Sequence, residues 1–206
     1  SFFPLTVDYR EYTYAAARFP GGFIKRVGPP SEREILSRPM IGRPVRPLFP
    51  EGYTNETQII GMVLSADPDY DPSPLAMLGA AAALAISDIP FGHVLAAVRV
   101  GLVGGNLVAN PSYDQAREAD FSIVVAATEE GVVMVEAGGS GVPEAEAPRC
   151  IEFGHECCRK LIAGIKELAP KAGKPKFEFT PKPLNQELVN EVDKKVRADL
   201  ADAMDT

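Results

Sequence analysis

The sequence predicts a fold that mixes α-helices with β-strands, and three observations lead there. Apolar runs of strand length come in pairs around short turns, Val94–Val103 with Asn106–Ala109 and Phe121–Ala127 with Val132–Ala137. Other segments carry helix-start chemistry, at Ser31-Glu32-Arg33-Glu34 and at Ser73-Pro74. Near the end, the Pro/Lys-rich stretch Pro170–Pro183 precedes Leu184, Leu188, Val192, Val196, Leu200 and Met204, which recur every four residues. That pattern predicts a linker followed by an amphipathic helix. The expected organisation is one domain over residues 1–169, a linker over 170–183, and the start of a further domain over 184–206.

Phe3–Tyr14 is rich in Tyr, Thr, Val and Phe and alternates imperfectly, which predicts a strand pair or one bent strand. Pro20-Gly21-Gly22 breaks it and opens a basic loop. Ser31 and Glu34 have capping-box spacing, so a helix starts there. Pro39, Gly42, Pro44 and Pro47 are expected to end it early and leave Arg43 and Arg46 on an irregular, Pro-stiffened segment. Thr57–Ala66 is a near-continuous apolar run and predicts a buried strand. Pro74–Ser87 follows as an Ala-rich buried helix with Pro at its first position. The hairpins turn at Gly104-Gly105 and at Thr128–Gly131, and Pro143–Ala169 reads as a helix with Cys158, Ile162, Ile165 and Leu168 on one face.

A 206-residue chain that is 46% hydrophobic and 24% charged can bury one sizeable core. Its longest apolar run, Leu75–Ile86, is twelve residues, well short of the roughly 18–20 that span a bilayer, so no membrane partner is expected. Cys150, Cys157 and Cys158 lack metal-ligand or disulfide-framework spacing and read as thiols in a reducing, cytoplasmic setting. Ser1-Phe2-Phe3-Pro4-Leu5 has no basic n-region or cleavage site, and the chain is expected to begin and end inside longer domains. Charge is unevenly spread. From Arg10 to Arg46 eight basic residues face three acids, a net +5, while the whole chain carries −7, which leaves −12 for the remainder. A local positive field in an acidic chain points to a polyanionic partner.

At FFPLTVDY (from Phe2), FPGGFIKRVGPPSERE (from Phe19), RPVRPLFPEGY (from Arg43), GAAAALAISDIPF (from Gly79) and VVMVEA (from Val132), the sequence resembles the first RNase PH-like core domain of the polynucleotide phosphorylase family. The likeness continues through FGHE at Phe153–Glu156 and KAGKP at Lys171–Pro175. The resemblance implies an α+β core of a type shared with a ribosomal protein, a mixed sheet with packed helices, and a last helix that begins an all-helical domain. It also implies a parent enzyme that is a phosphorolytic 3′ to 5′ exoribonuclease, a polyribonucleotide nucleotidyltransferase. Such an enzyme threads single-stranded RNA through a homotrimeric ring, uses inorganic phosphate, releases nucleoside diphosphates and has partners in RNA-degradation complexes. Magnesium and the active site belong to a second copy of the core, so no catalytic and no metal-binding residue is expected in this one.

In the active copy, a serine-rich turn before the Ala-rich helix cradles phosphate. The matching positions here are Asp71, Pro72 and Ser73, a carboxylate and an imide where donors to an anion are needed. Asp114 and Asp120 match a magnesium-binding pair in position, but the lysine that accompanies such a pair has Ser122 as its nearest counterpart; the other reading of the two aspartates is a solvated acidic turn. Phe23, Ile24, Lys25 and Arg26 align with the family's aromatic and arginine loop at the channel mouth, with Ile24 in place of a second aromatic and Lys25 in place of an arginine. Such a loop tracks phosphates and stacks on bases without reading sequence. Arg43 and Arg46 match an arginine pair, with Gly42 in place of an aspartate, and either face RNA or pair with acids at a subunit contact. The alternative for the whole segment is a catalytically silent interaction module without direct RNA contact.

Overall fold

A computed structural model describes residues 3–19, 28–181 and 185–204. Strand β1 (Leu5–Glu11) pairs in parallel with β2 (Thr57–Val63), from Leu5 opposite Thr57 to Glu11 opposite Val63. A parallel pair needs a crossover, and helix α1 (Glu32–Val45) lies within it. Its start follows the expected capping box: the Ser31 hydroxyl accepts from the Glu34 amide, and the Glu34 carboxylate accepts from the Ser31 amide. Its end does not follow expectation. The helix runs through Pro39 and Pro44, and Arg46 caps it at the head of a 3₁₀ turn, Arg46–Leu48. Arg43 therefore lies in helix, not in irregular chain. The missing amides weaken the helix locally, but Met40, Ile41, Pro44 and Val45 are buried, and tertiary packing outweighs propensity there.

The first strand also ends sooner than expected. After Glu11 the chain turns through a 3₁₀ segment, Thr13–Ala16, and makes no strand pair. Strand β2 is not buried on both faces: Thr57, Ile59 and Val63 point inward, whereas Ile60, Met62 and the following Leu64 are 52–66% exposed. Among the described residues β2 pairs with β1 alone, so its outer edge lies open.

The second sheet has the order β4-β3-β5-β6 and is antiparallel throughout, with β3 Ala96–Val103, β4 Asn106–Ala109, β5 Phe121–Ala127 and β6 Val132–Gly139. Both predicted hairpins form. Gly104 and Gly105 take φ of +55° and +80°, the conformation a tight two-residue hairpin turn requires. Alternate residues of β3 and β5 face two cores. Ala97, Val124 and Ala126 pack toward α1 and α2 (Ser73–Ile86). Val98, Val100, Ile123 and Val125 pack against Cys150, Cys158 and Ile162 of α4 (Glu146–Ala172). Helix α2 touches α1, β2, β3 and α4 and so joins the halves. The α+β class stands, with its parallel and antiparallel pairings in separate sheets.

A short helix, α3 (Tyr113–Glu118), links β4 to β5. Helix α4 continues past Ala169 to Ala172. The segment after it lies against the body: Lys174 and Phe177 amides donate to Ile86 and Asp88 carbonyls, and Phe177 and Phe179 stand beside the Tyr53 ring. Helix α5 (Gln186–Met204) buries none of its residues, and Leu188, Val192, Val196, Leu200 and Met204 are exposed. Among the described residues no helix is long and apolar enough to cross a membrane. All three cysteines are free, and burial pushes the Cys158 thiol up to about 12.

Candidate functional site

Position 71 sits immediately before helix α2, where unpaired amides favour an anion. The anion there is the protein's own. Asp71 Oδ1 accepts from the Ser73 amide at 2.9 Å and the Ser73 hydroxyl at 2.7 Å. Arg33 reaches the same oxygen at 2.7 Å, and Arg99 reaches Oδ2 at 3.0 Å. Burial alone would raise the Asp71 pKa, but the Ser73 amide and hydroxyl, then Arg99 and Arg33, outweigh it and hold the carboxyl below its usual range. The cluster extends through Arg33, which also pairs with Glu11 at 3.2 Å and lies 5.3 Å from the centre of the Tyr113 ring. Tyr9 donates to Glu11 at 2.7 Å; burial, reinforced by that bond, raises its pKa. Two arginines thus meet two carboxylates, and the site is neutral. It borders a cleft of about 510 Å³ lined in part by Arg33, Ser73, Arg99, Pro111 and Tyr113.

Sequence reasoning reached Asp71 and Ser73 but missed Arg33, Arg99, Glu11 and Tyr113 as their partners. One signal was available, because Arg99 is the only charge in the otherwise apolar β3, AAVRVGLV. Its partner could not be read, since Asp71 lies 28 positions away.

Most arginines of the basic window are committed within the chain. Arg10 pairs with Glu34 at 3.5 Å, Arg38 with Asp8 at 3.8 Å, and Arg43, 64% exposed, with Glu136 at 3.5 Å. Arg46 donates to the carbonyls of Phe3 at 2.7 Å and Leu5 at 3.0 Å and lies over the Phe3 ring. It therefore ties the α1 end to the start of β1. Phe23, Ile24, Lys25 and Arg26 lie outside the described residues.

Asp114 opens α3 and is bonded to Arg117 at 2.8 Å, with 88% of its side chain exposed. Asp120 precedes β5, where its amide donates to Leu102 and its carbonyl accepts from Ser140. Among the described residues no group of three or more His, Cys, Asp and Glu side chains could hold a metal ion.

Comparison with known proteins adds sequence kinship to this geometry. The profile described as 3′ exoribonuclease family, domain 1, matches residues 1–90, and that family's domain 2 matches residues 93–157. The chain is 60% identical over 205 residues to a polyribonucleotide nucleotidyltransferase of Solibacter usitatus, with 100% of this chain and 29% of that protein covered. It is 54% identical over 205 residues to the protein of that name from Koribacter versatilis, with 100% of this chain and 25% of that protein covered. The chain thus spans between a quarter and three tenths of the length of these curated relatives. Among solved structures it is similar to rice (Oryza sativa) Rrp46, with a TM-score of 0.63 at 14% identity, over 81% of this chain and 72% of the other, a likeness of fold.

Proposed function

Because the chain belongs to the 3′ exoribonuclease family, we propose that it is part of a phosphorolytic exoribonuclease, in which it guides single-stranded RNA and helps build a homotrimeric ring. The name carried by its relatives, polyribonucleotide nucleotidyltransferase, supports the parent reaction. In that reaction phosphate attacks the terminal phosphodiester of RNA, the bond to the preceding 3′ oxygen breaks, and a nucleoside diphosphate leaves with the RNA one residue shorter. Magnesium supports that chemistry from a second core copy beyond this chain. The parent is cytoplasmic, with partners in RNA degradation.

The occupied seat of Asp71 carries the assignment of a guiding rather than a chemical role. A phosphate needs converging donors. Here the Ser73 amide and hydroxyl, Arg33 and Arg99 all point at a resident carboxylate. An incoming phosphate would meet negative charge with those donors already used.

RNA guidance is assigned to Phe23, Ile24, Lys25 and Arg26, with exposed Arg43 as a secondary contact and Arg46 in a supporting position. In the intact protein, Lys25→Ala with Arg26→Ala weakens binding of a short oligoadenylate and reduces the slope of log affinity against log salt by about 1.4. An unchanged slope favours the second reading, a silent interaction module. That reading draws on the open edge of β2 and the apolar groove beside it, lined by Ile60, Met62, Leu64 and Leu75. Nucleoside diphosphate release is expected to survive Asp120→Ala, and its abolition would overturn the silent assignment of this copy.

A further inference from the structure

We propose that residues Tyr12–Phe19 form a second single-strand contact, a turn-fixed platform on which Phe19 stacks against a nucleobase while Arg18 neutralises a neighbouring phosphate. The proposal rests on the RNA-guiding role above and adds residues that the basic loop does not contain.

Three observations converge on this segment. The first is its rigidity. Ala17 adopts a left-handed conformation with φ of 53°, its amide donates to the Tyr14 carbonyl at 3.0 Å, and the Arg18 amide donates to the Thr13 carbonyl at 3.1 Å. This pair of bonds is the closure that ends many helices, although here it is built on alanine where glycine would cost less. A bond from the Ala66 amide to the Ala15 carbonyl at 3.0 Å ties the turn to the chain after β2. The backbone up to Arg18 is therefore closed on itself and tied to the body at Ala15.

The second observation is bare aromatic surface. Phe19 is 95% exposed, which leaves the faces of its ring open to a stacking partner. Tyr14 is 55% exposed and stacks on Tyr12 with ring centres 5.0 Å apart and planes 9° from parallel, and the Arg10 guanidinium lies 6.0 Å from the Tyr12 ring. Arg10 thus lies beside the Tyr12 ring of the stack, while Tyr14 retains exposed surface for a base.

The third is charge. The twenty residues from Tyr12 to Ser31 contain no Asp or Glu but include Arg18, Lys25 and Arg26, in a chain that carries −7 overall. Arg33, Arg38 and Arg43 each pair with a carboxylate, whereas Arg18 is exposed and has no carboxylate partner among the described residues. Exposed aromatics with an unopposed cation suit single-stranded nucleic acid, because every base offers a π-face and every link a phosphate. A protein contact would favour a continuous apolar patch, and the residues between these aromatics are Thr13, three alanines and the charged Arg18.

The test is fluorescence anisotropy of labelled oligoadenylate on the intact protein across a salt series, with Lys25→Ala/Arg26→Ala measured in parallel. Phe19→Ala is expected to weaken binding about 5- to 150-fold without altering the salt slope, and Phe19→Trp to restore it. Arg18→Ala is expected to reduce the slope by about 0.7. If Phe19→Ala and Arg18→Ala both bind like the parent while the Lys25/Arg26 pair is impaired, the platform is refuted and the guiding role survives. If all these variants bind like the parent, both fall. A changed sedimentation coefficient for Phe19→Ala at unchanged RNA affinity also refutes the platform, in favour of a protein contact.

Discussion

At the scale of single residues, Asp71 decides what the first turn of α2 can do. Its side chain is 16% exposed and that of Arg99 26%, so this pair is largely shielded, while Arg33 at 40% is better solvated. Breaking a buried charge pair costs about 3–5 kcal/mol; the partial solvation of Arg33 lowers the expected cost of Asp71→Asn to about 2–3 kcal/mol. The sign of the pH effect follows from the depressed carboxyl pKa. A group whose folded pKa lies below its unfolded value of 3.8 contributes stability that is present above that value and is lost as pH falls through the folded one. In urea titrations the parent should be more stable than Asp71→Asn at neutral pH, and the gap should narrow below about pH 4. A gap that stays constant to pH 2 would mean that the carboxylate charge is not what holds this site. The sequence displayed Asp71 as unsuited to phosphate, but not that two arginines from α1 and β3 complete its seat. Partner choice at 28 and 38 positions' separation is set by how elements pack.

At the scale of elements, the packing of α4 on the second sheet turns on one glycine. A Cβ at Gly154 would lie 2.7 Å from Val125 Cγ2 and 2.9 Å from Val125 Cβ, with Val100 at 3.3 Å. Val125 is fully buried and β-branched, so it cannot swing aside. Helix propensity alone favours alanine by about 1 kcal/mol, but overpacking costs about 1–3 kcal/mol, and the contact should win. Gly154→Ala is expected to lower thermal stability, whereas Gly164→Ala on the same helix, where a Cβ meets nothing within 4 Å, should raise it by up to about 1 kcal/mol. Equal effects at both sites would show that packing on Val125 does not set the sign. The hairpins and the cap of α1 were legible because their chemistry is local. The far end of α1 was not, because prolines that end an isolated helix are tolerated when Met40, Ile41 and Val45 are buried beneath them.

At the scale of the whole molecule, Lys176 joins the segment after α4 to the C-terminus of α2. Its ammonium donates to the carbonyls of Leu84 at 2.7 Å, Ala85 at 3.0 Å and Ser87 at 2.7 Å, and burial lowers its pKa despite the nearby Asp88. The cation sits where helix carbonyls are unpaired and the dipole is negative. Lys176→Met removes all three bonds, so limited proteolysis between 173 and 181 should accelerate while the core remains intact. Unaltered cleavage would assign the hold to Phe177 and Phe179 beside Tyr53.

What the sequence determined by itself was whatever depends on neighbours in the chain: the strands and turns of the two hairpins, the Ser31–Glu34 cap, the amphipathic last helix, and the motifs that place the chain in its family. It also showed the excess of basic residues between Arg10 and Arg46. Only the tertiary structure decided how that charge is spent. Arg33 is consumed by Asp71 and Glu11 and Arg38 by Asp8, Arg46 is turned onto two backbone carbonyls, and Arg43 meets Glu136 at the surface while staying largely exposed. The physical reason is that Coulomb pairing and hydrogen bonding act over a few ångströms, between groups that only folding brings together. A charge count along the chain records how many cations there are; the fold determines which remain available to a polyanion.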